Sequence, residues 1–106
     1  MALLLTDHQH AEIERIAQRW AVTSFELFGS ALDDRFGPES DVDLLVSFRP
    51  DARPTLFDLF DITDELEAVV GRPVDLMTRR AIEKSHNPYR KAFILDSARL
   101  LYRSAA

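Results

Sequence analysis

The sequence of 106 residues lacks cysteine altogether and contains only three glycines. Without thiols the chain can form neither disulfides nor thiolate-ligated zinc sites, so a reducing compartment is permitted. The scarcity of glycine leaves little room for a flexible linker. The sequence contains no internal repeat and no low-complexity tract. We therefore expect residues 1–106 to form a single domain with one core.

Long hydrophobic runs are also absent. The opening "MALLL" has no basic leader, and its apolar run is far too short for a signal peptide or a membrane span. We therefore expect a soluble protein of the cytoplasm that makes no membrane contact.

Positive charge is in deficit, because the net charge is −5, and direct nucleic-acid binding is accordingly not expected. The deficit is uneven along the chain. Between Arg79 and Lys91 five cations stand against Glu83 alone, a local sum of +4 that leaves −9 for the rest. A basic stretch of this kind is most often a solvated face, and it becomes informative where it lies near a partner or an acidic site.

Alternating and helical hydrophobic patterns predict an α/β (α+β) protein, in which helices flank a small mixed sheet of three to four strands. The capping residues Thr6, Thr55 and Asn87 mark the helix starts. The predicted strands cover 22–28, 42–48, 73–78 and, as an optional edge strand, 99–102. The predicted helices cover 7–20, 55–70 and 88–97, with a short helical turn or loop over 30–40. We expect four large aromatic residues in the core: Trp20, Phe57, Phe60 and Phe93.

Two aspartates one residue apart open the second predicted strand. Residues two apart in a strand point to the same face, so Asp41 and Asp43 project together, with Cα atoms roughly 6.6 Å apart. Asp75 lies within the third predicted strand. If these strands are neighbours, the three carboxylates lie side by side and raise one another's pKa values unless a cation neutralises them.

Magnesium suits such a group, because it takes a few carboxylate ligands and keeps positions open for water and substrate phosphates. Two such ions, roughly 3.5–4 Å apart, commonly clamp an in-line displacement at phosphorus. We therefore expect Asp41, Asp43 and Asp75 to be metal ligands. Asp75 is then the base or the second-metal ligand that activates an incoming hydroxyl.

Gly29 and Ser30 stand where the first predicted strand ends. A glycine at a strand end lets the backbone approach a ligand closely, and a following helical turn presents free N–H groups to an anion. The Ser30 hydroxyl can add a further bond to a phosphate. Metal ligands that face such a phosphate cradle predict a site for a nucleoside triphosphate.

The combined pattern of Gly29-Ser30, ten intervening residues and Asp41-Val42-Asp43 resembles the G-S-x10-D-x-D signature of the DNA polymerase β-like nucleotidyltransferase superfamily. In particular, the chain looks like the minimal nucleotidyltransferases. The resemblance implies the polymerase β-like nucleotidyltransferase fold and a metal-binding catalytic triad of Asp41, Asp43 and Asp75. It also implies that Gly29 and Ser30 bind the nucleotide, with ATP as substrate and Mg²⁺, as two ions, as cofactor.

Members of this family often act as antitoxins beside a HEPN-domain toxin, in some cases by transferring AMP from ATP to a tyrosine of that toxin. The resemblance therefore implies a Mg-dependent nucleotidyltransferase that modifies a hydroxyl of a partner protein. The implied partner is a HEPN-type toxin, with which the chain would form a hetero-oligomer.

One departure from the family pattern bears on activity. The family reads G-S-x-A-R-G, whereas "GSALDD" puts Asp33 and Asp34 in the places of arginine and glycine. Two anions in place of a cation should weaken binding of a triphosphate, and Arg35 or the pair Arg79-Arg80 is a candidate for compensation. The alternative interpretation is a catalytically weak or inactive antitoxin that binds and occludes its partner.

Overall fold

The computed structural model of the protein describes residues 3–32, 37 and 40–104. The elements in chain order are α1 (Asp7–Arg19), β1 (Val22–Phe28), a 3₁₀ turn (Gly29–Leu32), β2 (Val42–Phe48), α2 (Leu56–Val70), β3 (Val74–Thr78), α3 (Arg79–Glu83), α4 (Pro88–Ser97) and β4 (Arg99–Arg103). The four strands and the helices α1, α2 and α4 lie within a residue or two of the predicted elements. The 3₁₀ turn coincides only with the start of the turn or loop predicted over 30–40, and α3 was not predicted. Over the described ranges, no helix has the length and apolar character needed to cross a membrane.

The strands of the described residues form one mixed sheet in the order β3-β2-β1-β4. β1 is antiparallel to both β2 and β4, whereas β2 and β3 are parallel. Parallel neighbours need a long crossover connection, and α2 provides it. The predicted α+β class, with helices flanking a mixed sheet, is therefore confirmed.

One face of the sheet is covered by α1 and α2. Each helix begins at a capping box, which Thr6 forms with Gln9 and Thr55 forms with Asp58. Gly71 ends α2 in the left-handed conformation, with φ 70°. The helices bury Ile13, Ile16, Ala17, Ile62 and Leu66 against the sheet residues Val22, Phe25, Val42, Leu44, Val46 and Val74.

The opposite face carries a smaller core, which α3 and α4 enclose. It consists of Phe28 and Leu45 from the sheet with Ile82 and Ile94 from the helices. Sequence reasoning missed α3 because five residues are too few to display a helical period. The signal that was available is Thr78, whose side chain accepts a hydrogen bond from the backbone N–H of the third residue of α3 at 3.1 Å.

The prediction that Phe57, Phe60 and Phe93 lie in the core is wrong, because their exposed fractions are 77%, 56% and 62%. On α2 the buried side is marked by Ile62, and the two phenylalanines of that helix lie about 140–160° around the helix axis from it. Composition could not show which side of an apolar helix meets the sheet. Trp20 does pack against the core, and its indole N–H donates to a carboxylate of α2 at 2.8 Å.

Leu66→Ala should lower the free energy of unfolding by about 2–5 kcal/mol, because this fully buried side chain would leave a cavity. The matched change Phe57→Ala, on the exposed side of the same helix, should alter it by less than about 0.5 kcal/mol. Urea unfolding followed by the fluorescence of Trp20 measures both variants. Equal losses in the two would contradict the burial described for α2.

Candidate active site

Asp43 and Asp75 lie side by side on the two parallel strands. The register of β2 and β3 sets Asp43 directly opposite Asp75. Neighbouring strands are about 4.8 Å apart, and directly opposed residues point to the same face of the sheet. Both carboxylates therefore project from the face that carries Phe28 and Leu45, at the end of the sheet where β2 and β3 begin.

Asp41 stands just before β2 and is exposed. Burial raises the pKa of Asp43 above the ordinary aspartate value of 3.8, and the negative charges of Asp75 and Asp41 raise it further. Each of these effects disfavours the ionised carboxylate. The charges of Asp75 and Asp41 therefore both act on Asp43.

Gly29 packs directly against the carboxylate of Asp43. Its φ is 74°, in the left-handed region, where a side chain costs roughly 1–2 kcal/mol. A Cβ on Gly29 would lie only 2.5 Å from Oδ2 of Asp43, well inside van der Waals contact. Glycine is therefore needed here both for the backbone conformation and for the space that the carboxylate occupies.

The side chains of Glu67 and Arg72, which the sequence analysis did not single out, hold the starts of β2 and β3 in place. The carboxylate of Glu67 on α2 accepts a hydrogen bond from the backbone N–H of Val74 at 2.8 Å. Arg72 donates to the carbonyl of Gly37 at 2.5 Å and so ties the segment before β2 to the segment before β3. The second contact joins residues 35 apart in sequence, so no local pattern could have revealed it.

Four further residues that the sequence analysis singled out follow Gly29 along the chain. The backbone of Ser30 follows Gly29 in the 3₁₀ turn, and the Ser30 side chain lies outside the described residues. Asp33, Asp34 and Arg35 also lie outside them.

Arg79, a candidate for compensating the missing family arginine, begins α3 directly after the end of β3. It follows the last residue of β3, about 13 Å along the strand from Asp75. Its guanidinium donates to the carboxylate of Glu26 on β1 at 2.7 and 2.9 Å and pairs with Glu83 at 3.4 Å. The geometry therefore gives Arg79 a role in linking β1 to α3 and does not support a role beside the carboxylates.

The chemistry of the donor set fits a hard divalent cation, because it consists of carboxylate oxygens beside a turn without a side chain. Across residues 3–32, 37 and 40–104, no three acidic or histidine side chains already stand close enough to share one ion. Like charges favour rotamers that separate the oxygens. Asp41 and Asp75 are exposed, so rotation of their side chains can bring the oxygens toward Asp43 without repacking the core.

A comparison with protein-family models identifies the class of protein that this fold and site define. Residues 12–101 match the model of the nucleotidyltransferase domain. The chain therefore belongs to the nucleotidyltransferase domain family and is a nucleotidyltransferase.

Two curated relatives carry names that assign protein adenylyl transfer. A Methanocaldococcus jannaschii protein, provisionally named a protein adenylyltransferase, is 34% identical over 74% of this chain and 76% of its own length. The protein adenylyltransferase MntA of Thermococcus cleftensis is 30% identical over 76% of this chain and 75% of its own length.

Solved structures share the fold. A structure provisionally described as a minimal nucleotidyltransferase has a TM-score of 0.66 at 25% identity and covers 87% of this chain and 88% of its own. A chain of a toxin–antitoxin complex with AMP-PNP has a TM-score of 0.67 at 16% identity, over 91% and 74% of the two chains. A chain from the complex of tri-AMPylated Shewanella oneidensis HEPN toxin with MNT antitoxin has a TM-score of 0.60 at 16% identity, over 92% and 71%.

Gly29→Ala should destabilise the protein more than Gly71→Ala does. Both glycines have positive φ, so both variants lose about 1–2 kcal/mol of unfolding free energy to backbone strain. Only at Gly29 does the added Cβ also meet a carboxylate, whereas nothing lies within 4 Å of a Cβ at Gly71. Urea unfolding of the two variants isolates the cost of displacing Asp43, and equal losses would rule out the close packing described here.

Asp43→Asn should make the protein more stable than the native chain at pH 7. Because the pKa of Asp43 is raised in the folded state, that state binds more protons than the unfolded state above pH 3.8, and stability falls as pH rises through the folded pKa. The advantage of the variant should disappear below pH 3.8. Urea midpoints across this range measure the difference.

The exposed loop variant Asp51→Asn, which makes the same chemical change away from the acidic site, is the control for stability at pH 7. A native chain more stable than Asp43→Asn at pH 7 would contradict the raised pKa.

Proposed function

We propose that this chain transfers AMP from ATP to a hydroxyl of a partner protein in a reaction that depends on magnesium. The new bond forms at the α-phosphorus, the α–β phosphoanhydride bond breaks, and pyrophosphate leaves. By this transfer the chain acts as the antitoxin of a HEPN-type toxin. The observation that carries this is the pair Asp43 and Asp75, set opposite each other with Gly29 packed against the first carboxylate. Asp43 is partly buried and Asp75 is exposed. Carboxylates held this close together despite their repulsion are typical of a cation site, because the bound cation compensates the cost.

In this proposal Asp41 and Asp43 bind the metal that the triphosphate also contacts. Magnesium, when bound, supplies charge neutralisation of the phosphates and polarisation at phosphorus. Asp75 is the second-metal ligand or the base that accepts the proton of the attacking hydroxyl. Its exposure leaves it accessible to an acceptor that arrives from solvent.

Gly29 and Ser30 are proposed to hold the triphosphate. The absence of a side chain at Gly29 keeps the approach to the Asp43 carboxylate open, and the 3₁₀ turn begins there. Backbone N–H groups at the start of such a turn are donors suited to phosphate oxygens.

The partner is proposed from the relatives and the fold. Two relatives carry names that assign protein adenylyl transfer, and a structural neighbour is an MNT antitoxin in complex with an AMP-modified HEPN toxin. A second structural neighbour belongs to a toxin–antitoxin complex with an ATP analogue. In this proposal residues 1–106 form one minimal nucleotidyltransferase domain. The acceptor hydroxyl is proposed to belong to a separate protein, with which the chain forms a hetero-oligomer.

A second candidate function is favoured by Asp33 and Asp34. These residues replace a cation and a glycine of the family pattern with two negative charges. If they weaken ATP binding, the chain acts as an antitoxin by occluding its partner, with little or no transfer.

Incubation with radiolabelled ATP, magnesium and the purified HEPN-type partner tests transfer directly. We expect label on the partner, and a loss of at least about a hundredfold in its rate of appearance for Asp41→Asn, Asp43→Asn and Asp75→Asn, because each removes a charged metal ligand. Asp96→Asn, an exposed aspartate on α4, is the matched control and should label at the native rate. Magnesium should raise the melting temperature of the native chain and not that of Asp43→Asn.

The two functions give opposite results in a parallel toxicity assay. Neutralisation that persists in the three aspartate variants, with no label on the partner, would establish occlusion. Labelling that survives in those variants would place the chemistry elsewhere in the molecule.

A further inference from the structure

A cleft of about 970 Å³ opens at the end of the sheet away from the carboxylates. One wall is the segment that follows β2, and the other is α3. Its position is set by the parallel pairing of β2 and β3, which brings the ends of both strands to one edge. The site proposed above lies at the opposite ends of these strands, so the cleft is a separate feature.

The cleft is strongly basic although the chain as a whole is acidic. Five cations line it against one carboxylate, Glu83. Arg79 is engaged with Glu26 and Glu83, and Arg53 donates to backbone carbonyls of its own loop. The other three cations are exposed, and within the described residues they form no ion pair: Arg49, Arg80 and Lys84.

The carboxylates of the proposed active site do not cancel this potential. Asp43 lies four residues from Ser47, a cleft residue on the same strand, which is about 13 Å along β2. That distance exceeds the Debye length of about 8 Å at physiological ionic strength. Asp51, in the loop between Arg49 and Arg53, is exposed and does not line the cleft.

Exposed apolar side chains lie on the first turns of α2, close along the chain to the cleft. The lining includes Phe48, Pro50 and Pro54, and α2 begins two residues after Pro54. Consecutive Cα atoms are about 3.8 Å apart, so the Cα of Leu56 lies within about 7.6 Å of that of Pro54. The exposed apolar side chains of these turns are Leu56, Phe57 and Phe60, with exposed fractions of 63%, 77% and 56%.

We infer that the basic cleft and the exposed start of α2 form a docking surface for an amphipathic acidic segment of a protein partner. Carboxylates of the segment pair with Arg49, Arg80 and Lys84, and its apolar side chains cover Phe57 and Leu56. The acidic part of the segment is confined to the cleft, because Asp61 and Asp64 lie on the exposed side of α2 beyond Phe60 and would repel it.

The composition of this surface favours a protein over a nucleic acid. Aromatic residues and arginine are enriched at protein–protein interfaces, so exposed aromatic side chains near arginines suit a protein partner. A nucleic-acid strand that left the cleft would meet a chain whose remaining charge is negative, since the net charge is −5. A short acidic segment engages the cleft alone and avoids this repulsion.

The identity of the docking partner rests on the proposed function. An enzyme that modifies a protein binds that protein through a surface separate from the one that carries the reacting hydroxyl. The test of this docking role does not depend on transfer. Short fluorescein-labelled probes are added to the full chain, and binding is followed by fluorescence anisotropy at physiological salt. The probes are a peptide with a glutamate-rich half and a leucine-rich half, the same peptide with lysine in place of glutamate, and a single-stranded RNA.

We expect the acidic peptide alone to bind. The double variant Arg49→Glu/Arg80→Glu should weaken it by at least about tenfold, because pairing becomes repulsion. Phe57→Ser, which removes only exposed apolar surface, should weaken it by about tenfold without lowering the melting temperature. Arg15→Glu, an exposed cation on α1, is the matched control and should change the affinity less than about twofold.

Each other outcome overturns the inference. No binding of the acidic peptide, or binding that the double variant leaves intact, would remove the docking surface. RNA bound as tightly as the peptide, with the same sensitivity to the double variant, would make the cleft a nucleic-acid site. Asp43→Asn should bind the peptide as the native chain does, so failure of transfer and failure of docking are told apart.

Discussion

The parallel pairing of β2 with β3 is the constraint on which the rest of the molecule depends. It sets Asp43 opposite Asp75, and it requires α2 to cross over one face of the sheet. The same pairing brings the far ends of both strands together, where the segment after β2 and α3 form the basic cleft. A slip of one residue would turn one of the aspartates to the face that α1 and α2 cover.

The acidic end of the sheet is assembled at a cost to stability. Asp43 is partly buried between two like charges, which raises its pKa and disfavours the charged form. Gly29 adopts a left-handed conformation against that carboxylate, although glycine loses more chain entropy on folding than any other residue. Several destabilising features that meet at one place are typical of a functional site. Ligand binding there offsets the loss of folding free energy that these features cause.

Charges of opposite sign lie at the two ends of the sheet. Carboxylates gather where β2 and β3 begin, and unpaired cations gather where these strands end. Under the proposed function and docking role, this separation places the recognition surface apart from the reacting group. The basic stretch that the sequence showed between Arg79 and Lys91 is split accordingly, since only its first part, on α3, lines the cleft.

Local chemistry was enough to predict most elements, and its failures have physical causes. Thr6, Thr55 and Gly71 act on neighbours a few residues away, so caps and strand bounds could be inferred from the sequence. α3 was not predicted because five residues are too few to show a helical period. The prediction that Phe57 is buried was wrong because the apolar residues of a helix do not by themselves indicate which side packs against the sheet. The contacts of Glu67 and Arg72 were invisible because they span the fold.

The sequence by itself determined the class of fold, the family signature and the choice of Asp41, Asp43 and Asp75 as candidate metal ligands. These depend on periodicity, capping and short spacings along the chain. Only the tertiary structure decided that Asp75 lies opposite Asp43, that Gly29 leaves room for a carboxylate, and that the cations of α3 share a cleft with Arg49. The physical reason is that strand order and register arise from burial of the whole sheet between helices, which no local pattern encodes.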